Sequence, residues 1–212
     1  MTIFEPYDNI FELFRDLFTD DININDIHEF VEYLNNHSDD IQFFNDYINI
    51  INELKEYNII SYDFLNLTNI GYKLNTKTLV YFDIGFGKSN IQKIHKLNFY
   101  FKKETELFEL LEIDKYKYLG SGGNGSAYDI GHDTVLKLTI DDSEGNNSHK
   151  LMGKKLKNIV YIHYVYKYKL MDLEEKYCII LDMLDTSETT KKDLKNRYVN
   201  LNSMFINFRN EL

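Results

Sequence analysis

The stretch YKYLGSGGNGSAYDIGHDTVLKLTI, residues 116–140, decides how the chain is read. Gly120, Gly122 and Gly125 stand in it at G-x-G-x-x-G spacing, with Ser121, Gly123 and Asn124 completing the loop. Glycines alone also make ordinary hairpin turns, so the flanks matter. A dinucleotide-binding loop leads from strand into helix, where pyrophosphate meets the helix N-terminus. Here SAYDIG and then DTVLKLTI alternate in the manner of strands. The loop therefore reads as a glycine-rich flap between antiparallel strands, where missing side chains let backbone amides approach phosphates. Lys137 follows among Val135, Leu136 and Leu138. An ammonium in apolar surroundings needs a partner, and Glu144, at the start of the next helical stretch, is the candidate.

Working outward, residues 143–158 (SEGNNSHKLMGKKLKN) read as a helix, 159–170 and 176–184 as a pair of strands, and 189–210 as a closing helix. The first half is mostly helical. Apolar residues repeat at three-four spacing from Ile10 to Phe18 after Asp8, over Asn25 to Asn36, and from a Ser38 cap to about Tyr57. Residues 59–87 turn to loop and strand, IISYDFLNLTNIGYK and then TLVYFDIGFG, and 103–113 returns to helix. Two parts are expected: 1–112, mainly helical with the segment 59–87, and 113–212, a β-sheet with the glycine-rich loop and a terminal helix.

The glycine loop, strand lysine and helix glutamate resemble the N-lobe of eukaryotic-type protein kinases over about 70 residues, 118–185. The resemblance implies that Gly120, Ser121, Gly122, Gly123, Asn124 and Gly125 cover the phosphates of ATP. Lys137 would hold the α- and β-phosphates and pair with Glu144, with a hinge near Met183–Asp185. Residues 59–87 are similar to the same family's catalytic loop and magnesium motif. On that likeness Asp63 is the base for an acceptor hydroxyl, while Asn69 and Asp83 hold Mg²⁺. Two departures stand beside it. Asp63 to Asn69 is a gap of six where the family has five, with Asn66 at three, so the metal ligand stays open between the two asparagines. Ser61 and Tyr62 stand where the family has His-Arg.

The order is also reversed, because the catalytic-like residues precede the glycine loop. Joining residue 212 to residue 1 restores the family order. The expected fold is thus α+β and protein kinase-like: a helical C-lobe-like half followed by a β-rich N-lobe-like half, circularly permuted and reduced, with 88–112 crossing between them. A rival is a composite of two fragments whose site forms between chains in a dimer. The activation segment ending in Ala-Pro-Glu and the later helices that seat a protein substrate have no counterpart.

The chain has 212 residues, 43% hydrophobic and 27% charged, inside the range of folded globular proteins. A net charge of −10 and a pI near 5.1 exclude a general affinity for nucleic-acid phosphate. Cys178 is the single cysteine, and the six histidines lack metal-hydrolase spacing, which leaves thiolate-zinc and HExxH chemistry without support. No apolar run approaches a bilayer span, and MTIFEPYDNIFELF lacks the features of a signal peptide, so a soluble, cytoplasmic protein without a membrane partner is expected. Abundant Asn, Ile, Lys and Tyr suggest an A/T-biased coding sequence of a bacteriophage, a large virus or an A/T-rich bacterium. The lysine runs 154–158 and 191–197 read as solvated helix faces.

The function expected from the resemblance is an ATP- and Mg²⁺-dependent phosphotransferase, monomer or homodimer, acting on a Ser/Thr hydroxyl or a small molecule. The alternative is a pseudokinase-like binding protein that blocks a host protein.

Overall fold

The computed structural model describes residues 10, 12–14, 24–38, 40–59, 61, 65–85, 96–170 and 175–211. Helices α1 (Ile24–His37) and α2 (Ile41–Glu56) follow the expected apolar stripes, and α2 buries Phe43, Phe44, Tyr47, Ile50, Ile51 and Leu54 on one face. Ser38, expected as the cap of α2, instead accepts from Asp40 N at 2.9 Å, and Asp40 takes the N-cap position. A 3-10 turn (Leu67–Asn69) opens the hairpin β1 (Ile70–Lys73) and β2 (Leu79–Tyr81). Next come β3 (Lys96–Phe101), α3 (Glu104–Leu110), β4 (Lys117–Ser121), β5 (Gly125–Gly131) and β6 (Thr134–Thr139). The chain continues through α4 (Asp142–Leu151), β7 (Ile162–Leu170), β8 (Glu175–Asp182), β9 (Leu184–Asp185) and α5 (Glu188–Glu211). The architecture is α+β.

Two sheets result. The smaller has the order β2-β1-β9 and is antiparallel. The larger has the order β3-β7-β8-β6-β5-β4, antiparallel except where β3 runs parallel to β7. Strand alternation gives the larger sheet two different faces. Leu136, Leu138, Cys178 and Tyr168 pack on one side with Phe101, Leu107 and Phe108 from β3 and α3. Residues 96–110, within the segment expected to cross between the halves, are therefore part of this sheet and its cover. On the other side Ile162, Val165, Ile179 and Leu181 join the main core with α2, α5 and the small hairpin.

The helix expected over 143–158 stops at Leu151. Gly153 has φ +74° and donates its N–H to Ile162 O at 2.8 Å, which turns the chain back. The residues beyond it are needed as a seam. Lys157 N and Asn158 N donate to the Glu53 carboxylate at 2.7 and 3.0 Å, and Asn158 Nδ2 donates to Leu79 O at 2.6 Å. Tyr81 N donates to Asn158 O at 2.9 Å, and Val160 N to Tyr81 O at 3.0 Å. This seam joins α2, β2 and the start of β7.

Helix α5 closes against α1, where the Phe30 ring meets Phe205 at 5.0 Å and Phe208 at 5.3 Å. Ile10 N donates to Asn202 Oδ1 at 3.2 Å, so the early and late parts of the chain lie side by side. Arg197, within the run read as a solvated face, turns inward. Its Nε donates to Asp40 Oδ1 at 2.8 Å and its guanidinium stacks over Phe43. Among the described residues no helix is long and apolar enough to cross a membrane.

Candidate functional site

The β5–β6–β8 register places Ala127, Lys137 and Ile179 side by side. Because Leu136 and Leu138 point into the α3-covered core, Lys137 points to the opposite face, beneath the loop between β4 and β5. Its Nζ donates to Asp83 Oδ1 at 3.0 Å and contacts Glu144 Oε1. Burial works to lower the Lys137 pKa, but Glu144 and then Asp83 outweigh it and hold the ammonium above its ordinary range. Burial raises the pKa of Glu144, with Lys137 offsetting part of the effect and Asp83 adding to it.

Each carboxylate is fixed by its own surroundings. Asp141 caps α4 by accepting from Ser143 N at 2.8 Å and Glu144 N at 3.3 Å. Gly145 lets α4 press on β8, since a Cβ there would stand 2.2 Å from the Tyr177 ring. Asp83 follows β2 and is held through its backbone neighbours. Phe82 N donates to Asn69 O at 3.0 Å, Asn147 Nδ2 to Ile84 O at 3.0 Å, and Ser61 Oγ to Gly85 O at 3.1 Å.

Asn69 ends the 3-10 turn, buried beside the Asp83 strand, and its Oδ1 accepts from Thr68 Oγ1 at 3.1 Å. Asn66 Oδ1 caps the same turn by accepting from Thr68 N at 3.1 Å and Thr68 Oγ1 at 2.8 Å. Both asparagines line the cleft, and the cap occupies Asn66. Asp63, expected as the base, lies outside the described residues.

The glycine loop closes the cleft from above. Gly122 N donates to Gly125 O at 2.9 Å, and Ile140 N to Asn124 O at 2.9 Å. Gly125 is required sterically, because a Cβ would stand 1.9 Å from Leu138 O. At Gly120, Gly122 and Gly123 a Cβ would meet nothing within 4 Å, so the folded chain alone does not demand glycine there. What these three leave open is approach to the cleft. That cleft has a volume of about 710 Å³ and takes Lys137 and Glu144 from one wall and Asn69 and Asp83 from the other.

An apolar slot of about 340 Å³ adjoins it, lined by Leu119, Ala127, Val135, Leu181 and Met183. Met183 N donates to Asp133 O at 2.7 Å and is committed there. Among the described residues no three His, Cys, Asp or Glu side chains converge as a metal-binding set. A hard divalent cation in the cleft would draw on Asp83 and Asn69 oxygens and on oxygens of a bound ligand, which suits Mg²⁺ beside phosphates.

Reading the sequence missed the supporting roles of Asn147, Gly145 and Asn158 and the placement of Lys191 at this cleft. The dipeptide Gly145–Asn146 within a helix next to Glu144 is the one local oddity that could have flagged the close helix–sheet approach. No family model matches the chain, and no curated protein or solved structure does.

Proposed function

We propose that the chain is a nucleotide-dependent phosphotransferase of protein kinase-like fold in circularly permuted order. The observation that carries this reading is the Lys137 ammonium, shared between Glu144 and Asp83 beneath a loop whose open glycines face it. The apolar slot beside the cleft suits a planar base, and the glycine loop suits a phosphate chain. The permuted order is supported by the course of β4 to β8, which supplies the loop pair, lysine strand, glutamate helix and two further strands in the sequence that the resemblance implies. It is supported also by the meeting of Asn69 and Asp83 with the glycine loop, Lys137 and Glu144 at one cleft within one chain.

Lys137 would hold the inner phosphates, and Glu144 would keep that ammonium charged and aimed. Asp83 and Asn69 would hold Mg²⁺, which neutralises charge on the transferred group. In the transfer the acceptor oxygen forms the new bond to the terminal phosphorus, the bridging oxygen to the β-phosphate leaves, and the acceptor proton passes to a base. The resemblance assigns that base to Asp63.

The test is incubation with γ-labelled ATP and Mg²⁺, reading label on the protein itself, on a host lysate and on small hydroxyl compounds. Transfer by the parent and none by Lys137→Met or Asp83→Asn is the expected result. Binding of MgATP with no transfer to any acceptor would favour a pseudokinase-like binding protein, and no binding would overturn the reading.

A further inference from the structure

A bound polyanion would find few free cations in this cleft. Among the described residues two lysines line it, Lys137 and Lys191, against the carboxylates of Asp83, Asp141 and Glu144. Lys137 is already committed to Asp83 and Glu144, and withdrawing it would bare buried negative charge.

Lys191 is in the opposite condition. It stands in the first turn of α5, the helix that packs on the 3-10 turn ending in Asn69. Its side chain is 48% exposed, against 22% for Lys137, so it occupies the outer part of the cleft and Lys137 the inner part. Its Nζ pairs with Glu188 Oε1 at 2.9 Å, and that glutamate is 90% exposed. An exposed i,i+3 pair contributes little, so trading it for a phosphate oxygen costs little. A cation in the first turn of a helix also opposes the macrodipole.

We propose that Lys191 is the specificity-determining residue for the terminal phosphate of a nucleoside triphosphate. Lys137 anchors the inner phosphates from the sheet wall, and Lys191 meets the outermost one from the helical wall, so the pair measures the length of the phosphate chain. A diphosphate reaches Lys137 and leaves Lys191 with Glu188. This assignment rests on the nucleotide-site reading above.

The experiment is titration calorimetry of the full chain with MgATP and with MgADP at one fixed ionic strength, for the parent, Lys191→Gln, Lys191→Arg and Glu188→Gln. Lys191→Gln should weaken MgATP by about tenfold or more, the loss of one charge-assisted hydrogen bond, and leave MgADP within about twofold. Lys191→Arg keeps the charge and should retain most of the preference for the triphosphate. Glu188→Gln frees the ammonium and should bind MgATP as tightly as the parent or more tightly. Equal loss for both nucleotides in Lys191→Gln, or no loss for either, overturns the assignment while leaving the nucleotide site standing. A parent that binds neither nucleotide overturns the nucleotide-site reading, and this assignment falls with it.

Discussion

At the scale of single residues, the glycines of the second half separate into two kinds. Gly125 and Gly145 sit where a Cβ would collide with Leu138 O and the Tyr177 ring, while Gly122 and Gly123 face open space. Alanine at Gly125 or Gly145 should therefore cost about 1–3 kcal/mol in denaturant melts, as overpacking does. Alanine at Gly122 or Gly123 should leave stability within about 0.5 kcal/mol and weaken only MgATP binding. Lys137 gives a second test. Saturating MgATP, at about a hundred times Kd, should raise the parent melting temperature by roughly 5–10 °C, and Lys137→Met and Asp83→Asn should lose most of that rise. Without ligand, Lys137→Met leaves the buried Glu144 facing Asp83. Burial already raises the Glu144 pKa, and removal of the ammonium that offsets it raises it further. A carboxyl with a raised folded pKa favours folding at acid pH and loses that contribution as pH climbs through the folded value. Lys137→Met should thus lose stability relative to the parent as pH rises above the ordinary carboxyl range, and adding Glu144→Gln should remove that slope. Lys137 and Glu144 were legible because alternation and helix start are local patterns. Asn147 and Lys191 were not, because one more polar residue on a polar helix carries no mark of what it faces.

At the scale of elements, most helices and strands follow from periodicity, and the differences arise where tertiary contacts claim a segment. Residues 152–158 have helix-forming lysines and leucine, yet they leave the helix because Gly153 turns the chain and Asn158 pairs with β2. The β3–β7 pairing was not legible either, since parallel partners share no turn signal and lie far apart in the chain. The seam at Asn158 is where an element fixes the site, because β2 leads directly into Asp83. Asn158→Ala removes the donor to Leu79 O and leaves a buried carbonyl unpaired. It should cost about 1–3 kcal/mol by urea unfolding. Amide exchange at Tyr81 and Val160, whose hydrogen bonds belong to the same seam, should accelerate more than exchange within α5. Equal acceleration in both regions would mean that the seam is only one contribution among many to global stability.

At the scale of the whole molecule, the proposed permutation is testable without reference to any catalytic residue. Residue order alone allowed two outcomes, one cleft within a chain or a site completed between chains, because motif spacing does not say which motifs meet. Lys137 bonded to Asp83 within one chain favours the former. The Ile10–Asn202 hydrogen bond brings the early and late segments together, and Phe30 packs on Phe205 and Phe208. A linker of about ten Gly/Ser residues, with a root-mean-square reach of roughly 17 Å, is a modest span between segments that already touch. The new ends belong between residues 95 and 96. A break there leaves β3 and α3 joined directly to β4 of the sheet whose far face they cover, whereas a break nearer 113 would sever that connection. A rearranged chain running 96–212, linker, 1–95 should fold, because every contact described on either side of the break is retained. Its melting temperature should fall within a few degrees of the parent, since changing one loop closure alters stability by about 1 kcal/mol. It should also keep the whole MgATP-dependent rise in melting temperature, because Lys137, Asp83 and the glycine loop stay in one chain. A rearranged chain that melts with the parent but binds MgATP only as a dimer would show that the two walls of the cleft come from different subunits. A monomer with the full response would establish that the two motif sets act together as a single unit.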